Sequence, residues 1–292
     1  MGWRRPSPKV RSSVQVVRPD GWELRTDFLA AEEPLEVRLA AGPHRKTVAV
    51  TMRTPGHDFE LAAGFLFSEG VVQRREEIAR IAYCPQEELP EEQRYNLVTV
   101  QLRGPRLPDL KPLKRHFTTT SACGVCGRAS VEALRMRGCG VLEGGPTVDA
   151  DVLRQLPATL REAQGLFAQT GGLHAAALFD PQGRLLSIRE DVGRHNAMDK
   201  LVGWAFLEGR LPLQDHVVMV SGRASFELVQ KAVAARVPVF CAVSAPSSLA
   251  VEVARSFGVT LVGFLRGDRF NVYSGVERVR LAPAVSQELH AP

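Results

Sequence analysis

The chain has no apolar run long enough to cross a bilayer, which excludes a membrane-spanning helix and predicts no membrane partner. Its basic start, M-G-W-R-R-P-S-P-K-V-R-S-S, leads into no apolar stretch, so a secretory signal is not expected. Cysteine is sparse, five residues at irregular spacing, and an odd count of this kind is no disulfide framework. These absences predict a cytoplasmic chain whose thiols stay reduced. Neither G-x-x-x-x-G-K-[ST] nor a Rossmann glycine fingerprint occurs, so ordinary ATP or NAD use is not supported. Basic residues are not interleaved with aromatics in any stripe, which argues against nucleic acid. Lysine is rare too: 6 of the 37 basic residues, the other 31 being arginine.

What is present suits a folded core. The 292 residues are 45% hydrophobic and 24% charged, enough for one large domain or two modest ones. The net charge is +5 and the pI about 9.1. The arginine excess fits either a GC-rich codon bias or an anionic partner, because the planar guanidinium matches phosphate geometry.

Residues 1 to about 13 are rich in Arg, Pro and Ser and read as mobile. Leu35–Ala40 and Lys46–Arg53 read as strands, His57–Gly70 as an amphipathic helix, and Tyr95–Arg103 as another strand. The segment 104–116 carries three prolines and reads as a connector, placing a boundary near 116 between an N-terminal domain (14–116) and a second domain (117–280). In the second part, Ala129–Arg137 and Ala150–Ala168 are predicted helices. A hairpin follows around Asp180–Gly183, then helices at Asn196–Leu207, Phe226–Arg236 and Ser247–Phe257. Strands at 217–221, 238–244 and 260–265 lie between them. Short β-branched strands alternating with helices predict an α/β sheet covered on both faces.

The most chemically loaded motif is S-A-C-G-V-C-G, with Cys123 and Cys126. Zinc would need a second ligand pair, and Cys84, Cys139 and Cys241 are single. Thioredoxin-type redox chemistry prefers the motif between an early strand and a helix. A persulfide carrier needs an approachable thiolate, which flanking glycines, Arg128 and a helix starting near Ala129 would favour. All three chemistries stay open at this level; Cys241, inside an apolar strand, reads as inert core. Zinc deaminases share a CxxC, but Ala122 stands before Cys123, and no His or Cys is followed two places on by Glu.

Four strand-to-helix junctions carry polar groups: Asp191, Arg194, His195 and Asn196; Gly222, Arg223 and Ser225; Ser244–Ser248; and Arg266–Arg269. Together they would gather arginines at the carboxyl edge of one sheet, a phosphate-bearing ligand site.

These residues resemble a known family. S-A-C-G-V-C-G, T-G-G-L-H-A-A-A-L-F, E-D-V-G-R-H-N-A-M-D-K, S-G-R-A-S-F-E-L-V-Q-K and S-A-P-S-S-L-A-V-E-V-A are similar to those of formate dehydrogenase accessory sulfurtransferases, over roughly residues 30–275. The resemblance implies a homodimer with a three-layer, cytidine-deaminase-like α/β sandwich lacking zinc, and a smaller N-terminal α+β domain. It implies a sulfur carrier that takes persulfide sulfur from a cysteine desulfurase. The sulfur passes to the Mo-bis(molybdopterin guanine dinucleotide) cofactor, required for formate dehydrogenase activity. Cys123 would hold the persulfide and Cys126 assist. Phe264, Leu265, Arg266, Gly267, Asp268 and Arg269 match the family's guanine dinucleotide-binding stretch, though that stretch varies among relatives. His195 and Arg223 sit in shared motifs and are assigned to the cofactor site. A delivery chaperone that binds the cofactor without sulfur transfer, and a structural zinc protein, are the competing readings.

Overall fold

A computed structural model describes residues 6–83, 95–110 and 131–281, apart from 133 and 136. Cys84, Cys123, Cys126 and the expected boundary near 116 lie outside these residues. The N-terminal part holds β1 (Lys9–Arg18), β2 (Gly21–Ala30), β3 (Glu33–Ala41), β4 (His44–Arg53), α1 (Asp58–Ser68), β5 (Ile78–Tyr83) and β6 (Leu97–Leu102). Then come β7 (Val148–Asp149), α2 (Ala150–Ala163), α3 (Gly165–Thr170), β8 (His174–Phe179), β9 (Leu185–Asp191) and α4 (Arg194–Leu207). The chain continues with β10 (Val217–Val220), α5 (Phe226–Ala234), β11 (Val239–Ala242), α6 (Ser248–Phe257), β12 (Thr260–Arg266), β13 (Arg269–Ser274) and β14 (Val279–Arg280).

Two sheets organise the molecule. A four-stranded sheet runs β4-β3-β6-β5 and a six-stranded sheet runs β13-β12-β11-β10-β8-β9. In the larger sheet β10, β11 and β12 are parallel, β8 is antiparallel to β10, and β9 is antiparallel to β8. Hence β9 to β12, β8 excepted, all end on the same edge. β10 and β11 are buried at every position, which is why V-V-M-V and V-F-C-A show no polar alternation. On one face Val218, Val220, Phe240 and Leu261 pack with α4, α5 and α6. On the other Ala177, Phe179, Met219 and Cys241 pack with Leu153, Leu156 and Leu160 of α2. The result is an α/β arrangement with helices on both faces of the larger sheet.

Helix α1 joins the two parts. Leu61, Ala62, Ala63 and Leu66 pack on the smaller sheet. Its opposite side meets α4 with backbones nearly touching. A Cβ on Gly64 would overlap the carbonyl oxygen of Asp199 and sit 2.7 Å from the nitrogen of Gly203, and a Cβ on Gly203 would overlap the carbonyl oxygen of Glu60. Ion pairs flank this contact. Lys200 Nζ lies 2.7 Å from Asp191 Oδ2 and donates to the Thr54 carbonyl at 2.9 Å. Lys231 Nζ donates to both carboxylate oxygens of Asp199 at 2.8 and 3.0 Å, and Ser68 Oγ donates to Oδ1 at 3.1 Å.

Two expectations are corrected. Residues 9–13, read as mobile, belong to β1 of a hairpin registered Lys9↔Ala30 to Arg18↔Gly21. Most of that hairpin is exposed, Val17 and Trp22 included, so alternation there marks a strand without marking a core. The single helix expected over Ala150–Ala168 breaks at Gln164, whose ψ of 74° is not helical.

The glycine contact yields a test. Gly203→Ala must displace backbone rather than a flexible side chain, so it is expected to destabilise the protein by about 3 kcal/mol or more in denaturant unfolding. Gly165→Ala, at an open position with ordinary φ, is expected to shift stability by less than about 1 kcal/mol. Equal effects would contradict the close-contact account.

Candidate functional site

Parallel strands end where helices begin, so side chains at those junctions converge beyond the sheet. Here the ends of β9, β10, β11 and β12 and the start of β8 share one edge, and the junctions are tied together through the backbone. Ser221 N donates to the Ala175 carbonyl at 3.0 Å, and Ser221 Oγ accepts from Ala175 N at 2.9 Å. Ser244 N donates to the Gly222 carbonyl, and Phe264 N to the Ser244 carbonyl at 3.2 Å.

Of the four polar groups in the β9–α4 junction, two are consumed by the fold. Asp191 is fully buried and accepts from Thr54 N, Gly193 N and Asn196 Nδ2 besides pairing with Lys200. Asn196 Nδ2 also donates to the Met52 carbonyl at 2.7 Å. Both residues hold β4 to the larger sheet. The other two face the edge. Arg194 Nε is buried and without a hydrogen-bond partner, and among the described residues Arg194 has no carboxylate partner. The same holds for the exposed Arg223, at the end of β10. Gly222 makes room here, since a Cβ would stand 3.4 Å from His174 Nδ1 and 3.9 Å from Arg194 Cδ.

His195 Nε2 lies 3.1 Å from Ser225 Oγ and 3.7 Å from Glu227 Oε2. Hydrogen bonding to His195, with help from the Glu227 backbone and Ser225, holds the Glu227 carboxyl at about 2 despite partial burial. That carboxylate stays charged at any ordinary pH. Burial lowers the His174 pKa below 6.5, Arg194 and His195 lower it further, and Asp191 opposes them. His174 is therefore neutral at pH 7.

The stretch from Phe264 to Arg269 forms the end of β12 and the turn into β13, where Arg266 pairs with Arg269. Arg266, Gly267, Asp268 and Arg269 are exposed, whereas Leu265 is buried in the α2-facing core. Phe264 has φ 52°, a left-handed conformation uncommon outside glycine. Its ring lies 5.9 Å from the Arg266 guanidinium carbon. From Arg223, at the end of β10, this turn is two strand spacings away, about 10 Å. Thus the structure gathers His195 and Arg223 with His174, Arg194 and Ser221, and sets Phe264–Arg269 further along the same edge. His174 and Ser221 escaped sequence reasoning. The signal for His174 was its place at the start of an apolar strand, in T-G-G-L-H.

A cavity of about 440 Å³ opens on the α2 side of this edge, lined by Leu160, Arg161, Gln164, Phe167, His174 and Ser221 among others. Among the described residues no three of His, Cys, Asp and Glu cluster to hold a metal ion. Cys241 is fully buried and its thiol pKa is pushed far up by burial, which fits inert core. The Cys139 thiol is also raised by burial, with Arg137 and Arg236 working against it. No helix of the described residues is long and apolar enough to cross a membrane.

Two unpaired arginines at a strand-end edge can bind an anion such as pyrophosphate. A bound anion would offset the field of Arg194 and so raise the His174 pKa, coupling binding to proton uptake. Affinity for sulfate, an anion that does not itself titrate in this range, is therefore expected to increase as pH falls through and below 6.5. The His174→Gln variant should lose that dependence. Arg223→Gln should weaken binding by roughly tenfold at every pH. Calorimetric titration across pH 5.5 to about 8 reads all three; a flat wild-type profile would remove His174 from the site.

The sequence model described as the FdhD/NarQ family matches residues 30–280. A sulfur carrier protein from Streptomyces avermitilis is 52% identical over 280 residues, covering 95% of this chain and 98% of that one. The sulfur carrier protein of Mycobacterium tuberculosis is 50% identical over 286 residues, with 96% and 100% covered. That of Sulfurisphaera tokodaii is 43% identical over 269 residues, with 92% and 98% covered. Among solved structures, a crystal structure from Desulfotalea psychrophila, assigned as a formate dehydrogenase accessory protein, superposes with TM-score 0.71 at 25% identity. It spans 93% of this chain and 99% of its own.

Proposed function

The chain belongs to the FdhD/NarQ family, and from that premise we propose that it is a sulfur carrier acting in formate dehydrogenase maturation. Its near full-length similarity to curated sulfur carrier proteins is the observation that carries the reading. The C-G-V-C pair supplies thiols of the right kind. In this reading the Cys123 thiolate attacks the outer sulfur of a cysteine desulfurase persulfide. The S–S bond of the donor breaks, the desulfurase leaves as a thiolate, and Cys123 carries the sulfane sulfur. Attack of the Cys126 thiolate on the inner sulfur would then expel hydrosulfide. A Cys123–Cys126 disulfide remains, and a cellular thiol reductant reopens it.

The acceptor proposed for that sulfur is the bis-molybdopterin guanine dinucleotide cofactor, treated as a bound substrate. The chemistry of the sheet edge is compatible with it. Among the described residues Arg194 and Arg223 have no carboxylate partner and so suit pyrophosphate, and Phe264–Arg269 offers an aromatic ring and guanidiniums to a guanine nucleotide. Partners in this scheme are the desulfurase, formate dehydrogenase and a second copy of the chain.

Incubating the protein with a cysteine desulfurase and cysteine, followed by peptide mass spectrometry, tests the proposal. One extra sulfur atom is expected on the Cys123 peptide. Cys123→Ala is expected to abolish that gain and formate dehydrogenase maturation while leaving GDP binding intact. If the wild type acquires no sulfur yet matures the enzyme, the chain is a delivery chaperone and sulfur carriage is refuted.

A further inference from the structure

Gln164 occupies the break between α2 and α3. Its backbone is satisfied: N donates to the Arg161 carbonyl at 3.3 Å, and its carbonyl accepts from Ala168 N at 2.9 Å. Its side chain is different. The residue is only 4% exposed, and Nε2 has no hydrogen-bond partner. A buried amide donor left unsatisfied disfavours folding, so native proteins contain few of them. This one lines the 440 Å³ cavity, a volume within the range of small-ligand sites.

The surroundings narrow the ligand. A primary carboxamide carries an N–H donor and a C=O acceptor side by side, complementary to the H–N–C=O edge of a cyclic lactam. Phe167 and Leu160 offer apolar surface to a flat ring, and Arg161 stacks on Phe167 with its guanidinium carbon 4.1 Å from the ring centroid. Ser221 and His174 close the side toward the strand ends. Among the described residues no carboxylate lines the cavity, so they offer a cationic ligand no counter-charge there.

Position along α2 decides between two lactam heterocycles. At one end Arg154 Nε donates to the Asp268 carbonyl in the β12–β13 turn at 3.2 Å. Gln164 follows ten residues later, about 15 Å along the helix axis. The turn therefore meets α2 near its start, whereas the cavity runs from Pro157 in mid-helix to Gln164 at the far end. A ribose and pyrophosphate can bridge that span.

We propose that this cavity binds the pterin end of a pterin–guanine dinucleotide, with the Gln164 carboxamide pairing to the lactam edge of the pterin. The assignment rests on the cofactor reading above, which puts the guanine at Phe264–Arg269.

The test uses the purified full chain, titrated separately with neopterin, followed by its fluorescence, and with GDP. Gln164→Leu is expected to weaken neopterin by about tenfold or more and to leave GDP within about twofold. Its melting temperature should not fall, because the substitution removes an unsatisfied donor. Gln164→Glu, which keeps the shape but loses the N–H, should lose neopterin as well, and serves if the leucine variant is unstable. Arg266→Ala should weaken GDP and spare neopterin. Unchanged neopterin affinity in both Gln164 variants would overturn the proposal, as would loss of GDP in its place. If the wild type binds neopterin but not GDP, the guanine assignment fails while the cavity assignment stands.

Discussion

The contact between α1 and α4 is the constraint on which the rest depends. Two glycines let the backbones meet, and at that separation there is no space for side chains to adjust. The helices are therefore fixed in rotation and in height. Because α1 packs on the smaller sheet and α4 on the larger, the two sheets are fixed with them. The buried pairs complete the lock. Lys200–Asp191 reaches the chain leaving β4 through Thr54, and Lys231–Asp199 joins α5 to α4 and to Ser68 at the end of α1. Buried pairs of this kind add little net stability, yet removing one partner leaves an uncompensated charge, so they enforce one arrangement.

That lock also sorts the charges. The chain has only six lysines, and two of them sit inside the molecule against Asp191 and Asp199. Arg53 is fully buried as well, bonded through Nε and Nη2 to both oxygens of Asp58 at 3.1 Å. Each of these cations has a carboxylate. Among the described residues Arg194 and Arg223 have none, although Arg194 lies within a few residues of Asp191. The fold has committed that carboxylate to Lys200 and to the Thr54 amide, leaving the edge net positive. An anion site thus arises from where the acids are spent as much as from where the arginines are placed.

Strands β10 to β12 were readable because burial on both faces removes alternation and leaves short apolar runs rich in Val and Phe. Helix α1 was readable from its apolar stripe, but nothing local in the sequence marks Gly64 as a backbone contact. Its role depends on Asp199 and Gly203, more than 130 positions away. Asp191 and Asn196 show the same limit. Beside a helix start they look like ligands, and only Met52 and Thr54 across the molecule reveal them as struts. The break at Gln164 was hidden because apolar spacing continues from Leu153, Leu156 and Leu160 to Phe167. The β1–β2 hairpin was missed for the opposite reason: Val14 and Val16 alternate correctly, but Arg11, Ser12 and Ser13 just before them match the composition of a loop.

Two of the buried donors that the fold leaves unpaired fall at one place. Among the described residues three buried side-chain polar atoms lack a partner: Gln164 Nε2, Arg194 Nε and His216 Nδ1. The first two belong to the carboxyl edge of the larger sheet, and so does Phe264, one of three left-handed non-glycine residues among those described, with His57 and Arg236. His216 lies at the start of β10, on the opposite edge. Unpaired donors and a strained backbone each disfavour the folded state by about 1–3 kcal/mol. A chain shaped by stability alone would pair them or replace them. Gln164 and Arg194 both lie at the edge where four strands end, with Arg223 beside them and no described carboxylate for either arginine, which is what a surface looks like when its missing partner is a ligand.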